Sequence, residues 1–319
     1  MSRTPNISVA ICTRNRCGLL AKTLDRLAQA ERPISGAWDI LVVNNACTDN
    51  TRALVASFLD RLPLRETYEP RVGLSHARNR ALGETKGSHI AFIDDDVLVG
   101  EGWLTAQLDL AKRHPEASVF AGPVQPYFPV LPDPDVMKAF PFLRKGFCEV
   151  VHEQSEGLLP DDLMPAGANM AFRRSAIDGL RFNTRLGLTD GFLGGHEDHE
   201  FLRCVFARGD PAIWSPQLQV QHYVDVGRMN VRYLAKNERD RARTRVRSSK
   251  RASGLKLFSV PLPVLAGYVV AKTVYSFWSL TPFRRPKLAW MARSERFTGK
   301  VQEYQTKGGD RKDDVIEAT

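Results

Sequence analysis

The chain has 319 residues, of which 43% are apolar, so it can bury a sizeable core in one or two domains. Its formal net charge of +9 predicts an anionic partner, for which nucleic acid, an acidic membrane surface and a phosphorylated substrate all qualify. The five cysteines form no CxxC pair, which argues against disulfides and a zinc site. The N-terminal segment lacks the long apolar core of a secretory signal, so we expect a cytoplasmic protein.

Four strand-and-helix pairs are predicted between residue 7 and about residue 121. Short β-branched runs alternate there with amphipathic stretches, which is typical of a mostly parallel open sheet flanked by helices. Polar clusters follow three of these strands, where the ligands of such sheets bind. The predicted strands are 7–12, 38–43, 64–68 and 89–93, and the predicted helices are 18–30, 49–59, 74–82 and 103–113.

Beyond residue 121 the composition changes several times. A proline-rich segment at 123–134 favours an irregular connection, and mixed helix and short strand are predicted over 136–224. An arginine-rich stretch at 228–251 and an apolar run at 255–280 follow. We predict an α/β domain over 1–225 with halves at 1–121 and 122–225, a helical extension over 226–307 and a disordered tail over 308–319.

The strongest local signal is the triplet Asp94-Asp95-Asp96, in which an apolar predicted strand ends in three carboxylates. In an extended chain Asp94 and Asp96 point the same way and Asp95 the other, so two carboxylates can face one cation. Such hard oxygen ligands suit Mg²⁺ or Mn²⁺. A solvated acidic turn that caps a helix is the alternative interpretation.

A second acidic cluster lies at 194–200, ahead of a predicted helix. Glu197 and Asp198 would occupy the first helical turn, where the macrodipole stabilises carboxylates. Capping explains one of them, but two histidines beside two carboxylates also suit catalysis. His222 ends a short predicted strand, and a lone histidine in that position is more often structural than a ligand.

Six segments in order, between residue 7 and about residue 223, resemble the blocks of the family 2 glycosyltransferases. They are SVAICTRNR, VVNNACTDNT, GLSHARNRAL, AFIDDDV, GANMAFRR and GHEDHEF. The resemblance implies a GT-A fold and single-displacement, inverting transfer of a sugar from a nucleotide-diphosphate donor. It also implies that 1–121 binds the donor and that 122–225 binds the acceptor.

The resemblance also implies roles for single residues near the triplet. Asp94 and Asp96 look like the carboxylates of a DxD metal site, with His222 as a further ligand to Mn²⁺ or Mg²⁺. Asp94 and Asp95 would contact the donor, with Asp95 near its ribose or sugar. Asp198 resembles the general base that takes the proton of the acceptor hydroxyl, with Glu197 beside it in the catalytic pair.

Further positions are implied on the two sides of this centre. Many family members have an aspartate at the position of Asn44, and this departure leaves the nucleotide open because an amide donates as well as accepts. The residues implied to line the nucleotide pocket are Thr13, Arg14 and Asn15, with Asn44 beside the base and Arg78 near it. The residues implied to border the acceptor are Gly167, Ala168 and Asn169.

The basic and apolar segments predict a further partner. We expect a glycan or lipid-linked acceptor and peripheral contact of 228–280 with the cytoplasmic face of a membrane, through an interfacial helix or hairpin. A core helix with a solvated charged face is the alternative. A nucleic-acid-binding protein is disfavoured because the arginines have few interleaved aromatics. An inactive relative is disfavoured because the carboxylates are retained.

Overall fold

The computed structural model describes residues 6–31, 38–248 and 255–313, except for the side chains at 140–142, 144–145 and 307–313. The chain forms two compact units. The α/β unit comprises Met1–Phe128, Phe147–Thr189 and Glu197–Val224. The helical unit comprises Pro129–Gly146, Asp190–His196 and Asp225–Thr319. The predicted domain boundaries at residues 121, 225 and 307 stay a prediction.

The α/β unit contains a large sheet and a small one. Its strands are β1 (Ile7–Thr13), β2 (Trp38–Asn44), β3 (Leu64–Tyr68), β4 (His89–Asp94), β5 (Val97–Val99), β6 (Val119–Ala121), β7 (Val124–Tyr127), β8 (Gly157–Leu158), β9 (Asn169–Arg173), β10 (Ala212–Trp214) and β11 (Val220–Tyr223). Its helices are α1 (Cys17–Gln29), α2 (Thr51–Ala56), α3 (Leu74–Glu84), α4 (Trp103–Arg113) and α6 (Glu197–Phe206), while α5 (Pro134–Leu143) belongs to the helical unit. Short 3-10 helices lie at Arg144–Phe147, Arg174–Ile177, Pro216–Leu218 and Val226–Arg228.

The large sheet has the strand order β3-β2-β1-β4-β9-β6-β10-β8. Strands β3, β2, β1 and β4 are mutually parallel, β9 runs antiparallel between β4 and β6, and β10 is parallel to β6. The prediction of a mostly parallel sheet flanked by helices is therefore confirmed. The four predicted strand-and-helix pairs are present, although α2 ends at Ala56 rather than near residue 59.

The central strands are hydrophobic on both faces, because helices cover both faces of the sheet. Val9 and Ile11 of β1 belong to one core cluster, and Ala10 between them belongs to the other. The alternating side chains of a strand thus reach two cores in turn. This burial fixes the register of β1 and β4, so their carboxyl ends lie side by side, with Cys12 opposite Asp94.

The small sheet has the order β5-β11-β7. Strand β7 lies within the proline-rich segment, for which an irregular connection was expected, because Val124 to Tyr127 pair in parallel with β11. Strand β11 also pairs antiparallel with β5, which places His222 opposite Val97. This pairing brings the histidine beside the acidic triplet, although more than 120 residues separate them in the chain.

The helical unit is built around α5, α7 (Val231–Ser248), α8 (Leu262–Ser279) and α9 (Arg284–Asp313), with a hairpin of β12 (Lys256–Leu257) and β13 (Val260–Pro261). Glycines allow close packing along α9, since a Cβ on Gly299 would overlap the carbonyl of Arg239 in α7. Helix α9 covers residues 308–313 of the predicted tail, whereas 314–319 and the end of the arginine-rich stretch at 249–251 lie outside the described residues. Within the part of the chain that the structure describes, no helix combines the length and apolarity that a membrane crossing requires.

Candidate active site

Two aspartates and a histidine meet at the carboxyl end of β4. Asp94, Asp96 and His222 each offer one ligand atom, and these three atoms lie within 4.8 Å of one another. The main chain fixes this arrangement, because the Tyr223 amide donates to the Asp96 carbonyl at 2.7 Å. The His222 Nε2 lies 3.3 Å from the Asp96 Oδ1. Two carboxylates and an imidazole fit a divalent cation such as Mn²⁺.

Arg16 is a member of the site that the sequence analysis missed. Its guanidinium donates to the Asp95 Oδ1 at 2.5 Å and also to the Asp96 Oδ2. The two carboxylates raise the pKa of Arg16 above its ordinary value despite burial, so the side chain stays charged. Its position in the polar run after β1 was visible in the sequence. Charge balance against three carboxylates could have identified it.

Asp95 is not a member of the cation cluster, and it lies with Asp96 in the turn that follows β4 rather than in the extended chain that the sequence analysis assumed. Its Oδ2 accepts a hydrogen bond from the Thr13 hydroxyl at 2.7 Å. Burial raises the pKa of Asp95 to about 7, although Arg16 lowers it. Thr13 and Arg16 therefore hold this carboxylate in place. A direct contact of Asp95 or Thr13 with the donor stays a prediction.

The second carboxylate cluster lies at the start of α6, as predicted. Glu197 is buried, and its Oε1 accepts a hydrogen bond from the Arg78 Nη1 at 2.6 Å. Burial raises the pKa of Glu197 to about 7, and the charge of Asp198 acts in the same direction, against Arg78. Glu197 thus carries a buried ion pair with Arg78.

Asp198 has a different environment from its neighbour. Its Oδ2 accepts from the Gly167 amide at 2.9 Å, and its Oδ1 accepts from the His199 amide at 2.8 Å. Burial acts to raise the pKa of Asp198, but the charges of His199 and Arg78 and these two backbone bonds hold it below its ordinary value. Asp198 is therefore ionised near neutral pH, as a proton acceptor must be.

Arg78 joins the two carboxylate clusters. Besides Glu197, its guanidinium contacts the Asp94 Oδ1 and the Gly167 carbonyl, each at 3.3 Å. A Cβ at residue 167 would lie 2.5 Å from the Arg78 Nη2, so only glycine fits there without displacing the arginine. One side chain thus spans from the cation cluster to the start of α6. A role for Arg78 near the nucleotide base stays a prediction.

The residues predicted for the nucleotide pocket build the turn that follows β2. The Arg14 Nη1 donates to the Asn45 and Ala46 carbonyls at 3.0 and 2.7 Å. The Asn15 Oδ1 accepts from the Thr48 amide at 2.7 Å. The turn between β2 and α2 is therefore tied to the segment that follows β1. Donor contacts of Arg14 and Asn15 stay a prediction.

Two consecutive asparagines end β2 and bind different partners. The Asn44 Nδ2 donates to the Glu66 Oε1 at 2.7 Å, and its Oδ1 accepts from the Cys47 amide at 2.9 Å. Asn45, which the sequence analysis did not single out, donates to the Arg71 carbonyl at 2.7 Å. Asn44 thus serves the turn and the neighbouring strand, and its contact with a base stays a prediction.

The predicted acceptor segment divides into two parts. The Gly167 main chain lies at the site, through its bonds with Asp198 and Arg78. Ala168 and Asn169 lie in the interior, where the Asn169 Oδ1 accepts from the Trp103 indole at 3.2 Å and its Nδ2 donates to the Leu218 carbonyl at 2.6 Å. The Asn169 side chain therefore connects α4 to the sheet, and a place of Ala168 and Asn169 beside an acceptor stays a prediction.

The sequence model of "Glycosyl transferase family 2" matches residues 8–180, which is more than half of the chain. The chain belongs to this family. This glycosyltransferase is 29% identical over 244 residues to the succinoglycan biosynthesis protein ExoM of Rhizobium meliloti, covering 74% of this chain and 72% of ExoM. It is 31% identical over 137 residues to validoxylamine A glucosyltransferase of Streptomyces hygroscopicus subsp. jinggangensis, covering 42% of this chain and 32% of that enzyme.

Solved structures confirm the GT-A fold of this glycosyltransferase. Residues 1–349 of TarS from S. aureus, in complex with UDP-GlcNAc, superpose with a TM-score of 0.55 at 16% identity, covering 95% of this chain and 92% of that one. The mannosyltransferase PcManGT from Pyrobaculum calidifontis, in complex with GDP-Man and Mn²⁺, gives a TM-score of 0.60 at 16% identity, covering 96% and 89%. At this identity the likeness concerns the fold alone.

Proposed function

We propose that this glycosyltransferase moves a sugar from a nucleoside-diphosphate donor to a hydroxyl of a glycan or lipid-linked acceptor, with inversion at the anomeric carbon. The observation that carries the proposal is that Arg78 contacts both carboxylate clusters, Asp94 at 3.3 Å and Glu197 at 2.6 Å. The proposed cation site and the start of α6, where the ionised Asp198 follows Glu197, are therefore connected by one guanidinium. Direct displacement needs both groups around one sugar.

On the donor side, Asp94, Asp96 and His222 would hold Mn²⁺ or Mg²⁺. Such an ion, when bound, neutralises the negative charge that grows on the leaving diphosphate. Arg16 and Arg78 add fixed positive charge around the same carboxylates. These cations also limit the mutual repulsion of the acidic residues while no donor is present.

On the acceptor side, Asp198 would take the proton of the attacking hydroxyl. Its two backbone hydrogen bonds fix the carboxylate and keep it ionised. Glu197 would act as a positioning residue, since it holds Arg78 and lies one residue from the base. The environments of these adjacent carboxylates push their pKa values in opposite directions, a pattern that assigns different roles to two acids.

The wider assignment rests on the relatives. ExoM takes part in succinoglycan biosynthesis by its name, and the TarS and PcManGT structures contain nucleotide sugars. We propose that this enzyme acts in the synthesis of a bacterial-type polysaccharide, glycolipid or lipid-linked glycan, and that it does so at the cytoplasmic face of a membrane. The segments 1–121 and 122–225 would serve the donor and the acceptor respectively.

A donor panel tests the proposal. The purified full chain is incubated with UDP-, GDP- and dTDP-sugars and with Mn²⁺ or Mg²⁺, and binding and slow donor hydrolysis are measured before and after EDTA is added. We expect one donor to give metal-dependent binding and hydrolysis. An ¹H NMR spectrum of a product with an acceptor analogue reports the anomeric configuration, and retention would contradict single displacement.

The alternative is a relative that binds nucleotide sugars without transferring them. The same panel separates the two functions, because that relative would bind a donor but release neither free sugar nor nucleoside diphosphate. Binding and hydrolysis that persist unchanged in excess EDTA would contradict the metal site. No response to any donor would contradict the proposed function as a whole.

A further inference from the structure

Helix α8 exposes an apolar surface in the helical unit. Of its 18 residues only Ala271 is buried, and its one charged residue is Lys272. The nine exposed positions of α8 carry no charge: Leu262, Pro263, Ala266, Val269, Val270, Thr273, Ser276, Phe277 and Ser279. A solvent-facing helix surface normally carries charged side chains. The composition of α8 therefore indicates a surface that something covers.

The exposed apolar residues of α8 share one side of the helix. At 100° per residue, Leu262, Val269, Phe277 and Leu280 fall within about 80° of one another. The opposite side packs on α9, since a Cβ on Gly267 would overlap the ring of Phe297. Phe277 is 61% exposed and Leu280 is 87% exposed. The apolar side of α8 is thus the side that α9 leaves uncovered.

The β12–β13 hairpin adds a second apolar element beside α8. Its two turn residues, Phe258 and Ser259, have φ angles of 50° and 65°, and Phe258 is 77% exposed. Two-residue turns with positive φ at both positions favour asparagine and glycine. A phenylalanine at such a position therefore lowers the stability of the turn. Such a residue at an exposed tip indicates a contact made by its ring.

We define the lipid-facing surface as the exposed side chains of the hairpin and α8, together with Leu280 and Phe283. Nine of the twenty large exposed hydrophobic side chains in the described part of the chain lie between residues 255 and 283. Contiguous apolar surface of this kind marks an interaction site. The remaining question is which partner covers it.

Every charged side chain of the chain segment that carries this surface is basic, although Asp135 of α5 is paired with Arg284 at its end. Residues 241–294 contain no aspartate or glutamate. Lys256 and Arg285 are exposed at the two ends of the segment, and Lys272 lies on the flank of α8. An apolar surface with a basic rim is complementary to a bilayer whose headgroups are anionic, where apolar side chains enter the interface and cations meet phosphates.

Two arginines of the arginine-rich stretch form ion pairs within the helical unit. In α7 the Arg239 Nε donates to the Glu295 Oε2 at 2.5 Å, and the Arg247 Nε donates to the Glu303 Oε1 at 2.9 Å. The Arg296 Nε of α9 donates to the Glu238 Oε1 at 2.6 Å in return. These arginines hold α7 against α9. The lipid contact predicted for 228–280 stays a prediction, and the inference below concerns its part from 255 onward.

We infer that the lipid-facing surface binds the surface of an anionic bilayer, with Phe258 and Phe277 in the interfacial layer and Lys256, Lys272 and Arg285 against lipid phosphates. The inference does not depend on the proposed transferase activity. It attaches the enzyme to a membrane by one face of the helical unit.

Vesicle binding by the full chain tests the inference. Co-sedimentation is measured with vesicles of phosphatidylcholine alone and of phosphatidylcholine with phosphatidylglycerol, without donor or metal. We expect binding to the anionic vesicles, weaker binding in high salt, and a loss of at least about tenfold in F258S/F277S. The charge variant K256E/R285E should lose binding to anionic vesicles as well.

Matched controls keep a folding defect apart from a binding defect. Leu158 and Leu131, 67% and 91% exposed, lie outside the surface, so L158S/L131S should bind vesicles like the unmodified chain. Each variant must keep the unmodified melting temperature. An unmodified chain that ignores anionic vesicles, or an F258S/F277S variant that binds them fully, would overturn the inference. A concentration-dependent dimer in sedimentation velocity that F258S/F277S abolishes, with no vesicle binding, would instead assign the surface to a second copy of the chain.

Discussion

Two carboxylate clusters of the α/β unit contain the same kind of residue in different surroundings. At the end of β4, Asp94 and Asp96 gather around His222. At the start of α6, Glu197 binds Arg78 while Asp198 binds two backbone amides. The first arrangement leaves converging oxygens that attract a cation, and the second leaves a single ionised carboxylate held in one orientation.

The difference shows that surroundings, more than residue type, assign the chemistry of an acidic residue. Strand pairing brings a histidine to the first cluster from a distant part of the sequence. In the second cluster burial acts to raise the pKa of Asp198, but the charges of His199 and Arg78 and two backbone amides lower it. Substitutions in the cluster at the end of β4 should therefore affect cation binding. Substitutions in the cluster at the start of α6 should affect turnover.

The largest effect is expected for Asp198→Asn. The amide cannot accept the proton of the acceptor hydroxyl, so turnover should fall by about 10²- to 10⁴-fold. The donor and Mn²⁺ should bind nearly as before, because Asp198 is neither a proposed metal ligand nor a proposed donor-binding residue. Steady-state transfer and donor titration measure the two effects. Asp60→Asn, an exposed aspartate, is the control, and retained turnover in Asp198→Asn would exclude it as the base.

Asp96→Asn should produce the opposite pattern. Removing one carboxylate ligand should weaken Mn²⁺ binding by at least about tenfold, and donor affinity should lose its dependence on metal. Electron paramagnetic resonance of free Mn²⁺ gives the affinity. Asp109→Asn provides an exposed control of the same chemistry. Unchanged Mn²⁺ binding would show that the cluster at β4 does not hold the cation, and the comparison of the two clusters would fail.

Glu197→Gln sharpens the comparison through pH. The pKa of Glu197 is raised from 4.5 to about 7, so the folded protein holds this proton more tightly than the unfolded chain does. Its stabilising contribution is complete below pH 4.5 and is lost as pH rises through 7. Relative to Glu197→Gln, the free energy of unfolding should fall with pH by up to about 1.4 kcal/mol per unit in that range.

Urea unfolding at several pH values measures this slope. The exposed Glu101→Gln should keep the slope of the unmodified chain. Parallel curves for the unmodified chain and Glu197→Gln would mean that Glu197 titrates alike in both states. Its ion pair with Arg78 would then offset the effect of burial on its pKa.

Much of the fold could be predicted from the sequence because it depends on local patterns. The alternation of β-branched runs with amphipathic helices gave β1 to β4 and their helices, and buried strands end where their apolar runs end. The polar ends of those strands predicted where Asp94 to Asp96 would lie. Contacts that depend on distant pairing were less accessible, such as β7 with β11 within a proline-rich segment.

The site was predictable to the same extent. Residue types and ordered segments singled out Asp96, Asp198 and His222, but not the side chains that connect them. The contact of the Arg78 guanidinium with Glu197, across 119 residues, was not predicted because sequence order gives no distance. Asn169 was assigned to the acceptor although the strand β9 that it begins is buried on both faces. Long-range contacts of this kind follow only from the tertiary fold.

The smallest effect is expected for Arg16→Gln, and it concerns the cation cluster directly. The guanidinium binds the Asp95 Oδ1 and the Asp96 Oδ2, so its positive charge lies on a carboxylate of the cation cluster and repels a divalent ion there. Without donor, Mn²⁺ should bind Arg16→Gln several-fold more tightly, since about 1 kcal/mol of repulsion is removed. Arg16→Lys keeps the charge and should stay near the unmodified affinity. A weaker Mn²⁺ affinity in Arg16→Gln would instead mean that Arg16 orients Asp96 as a ligand, and the two carboxylate clusters would then both depend on an arginine for their geometry.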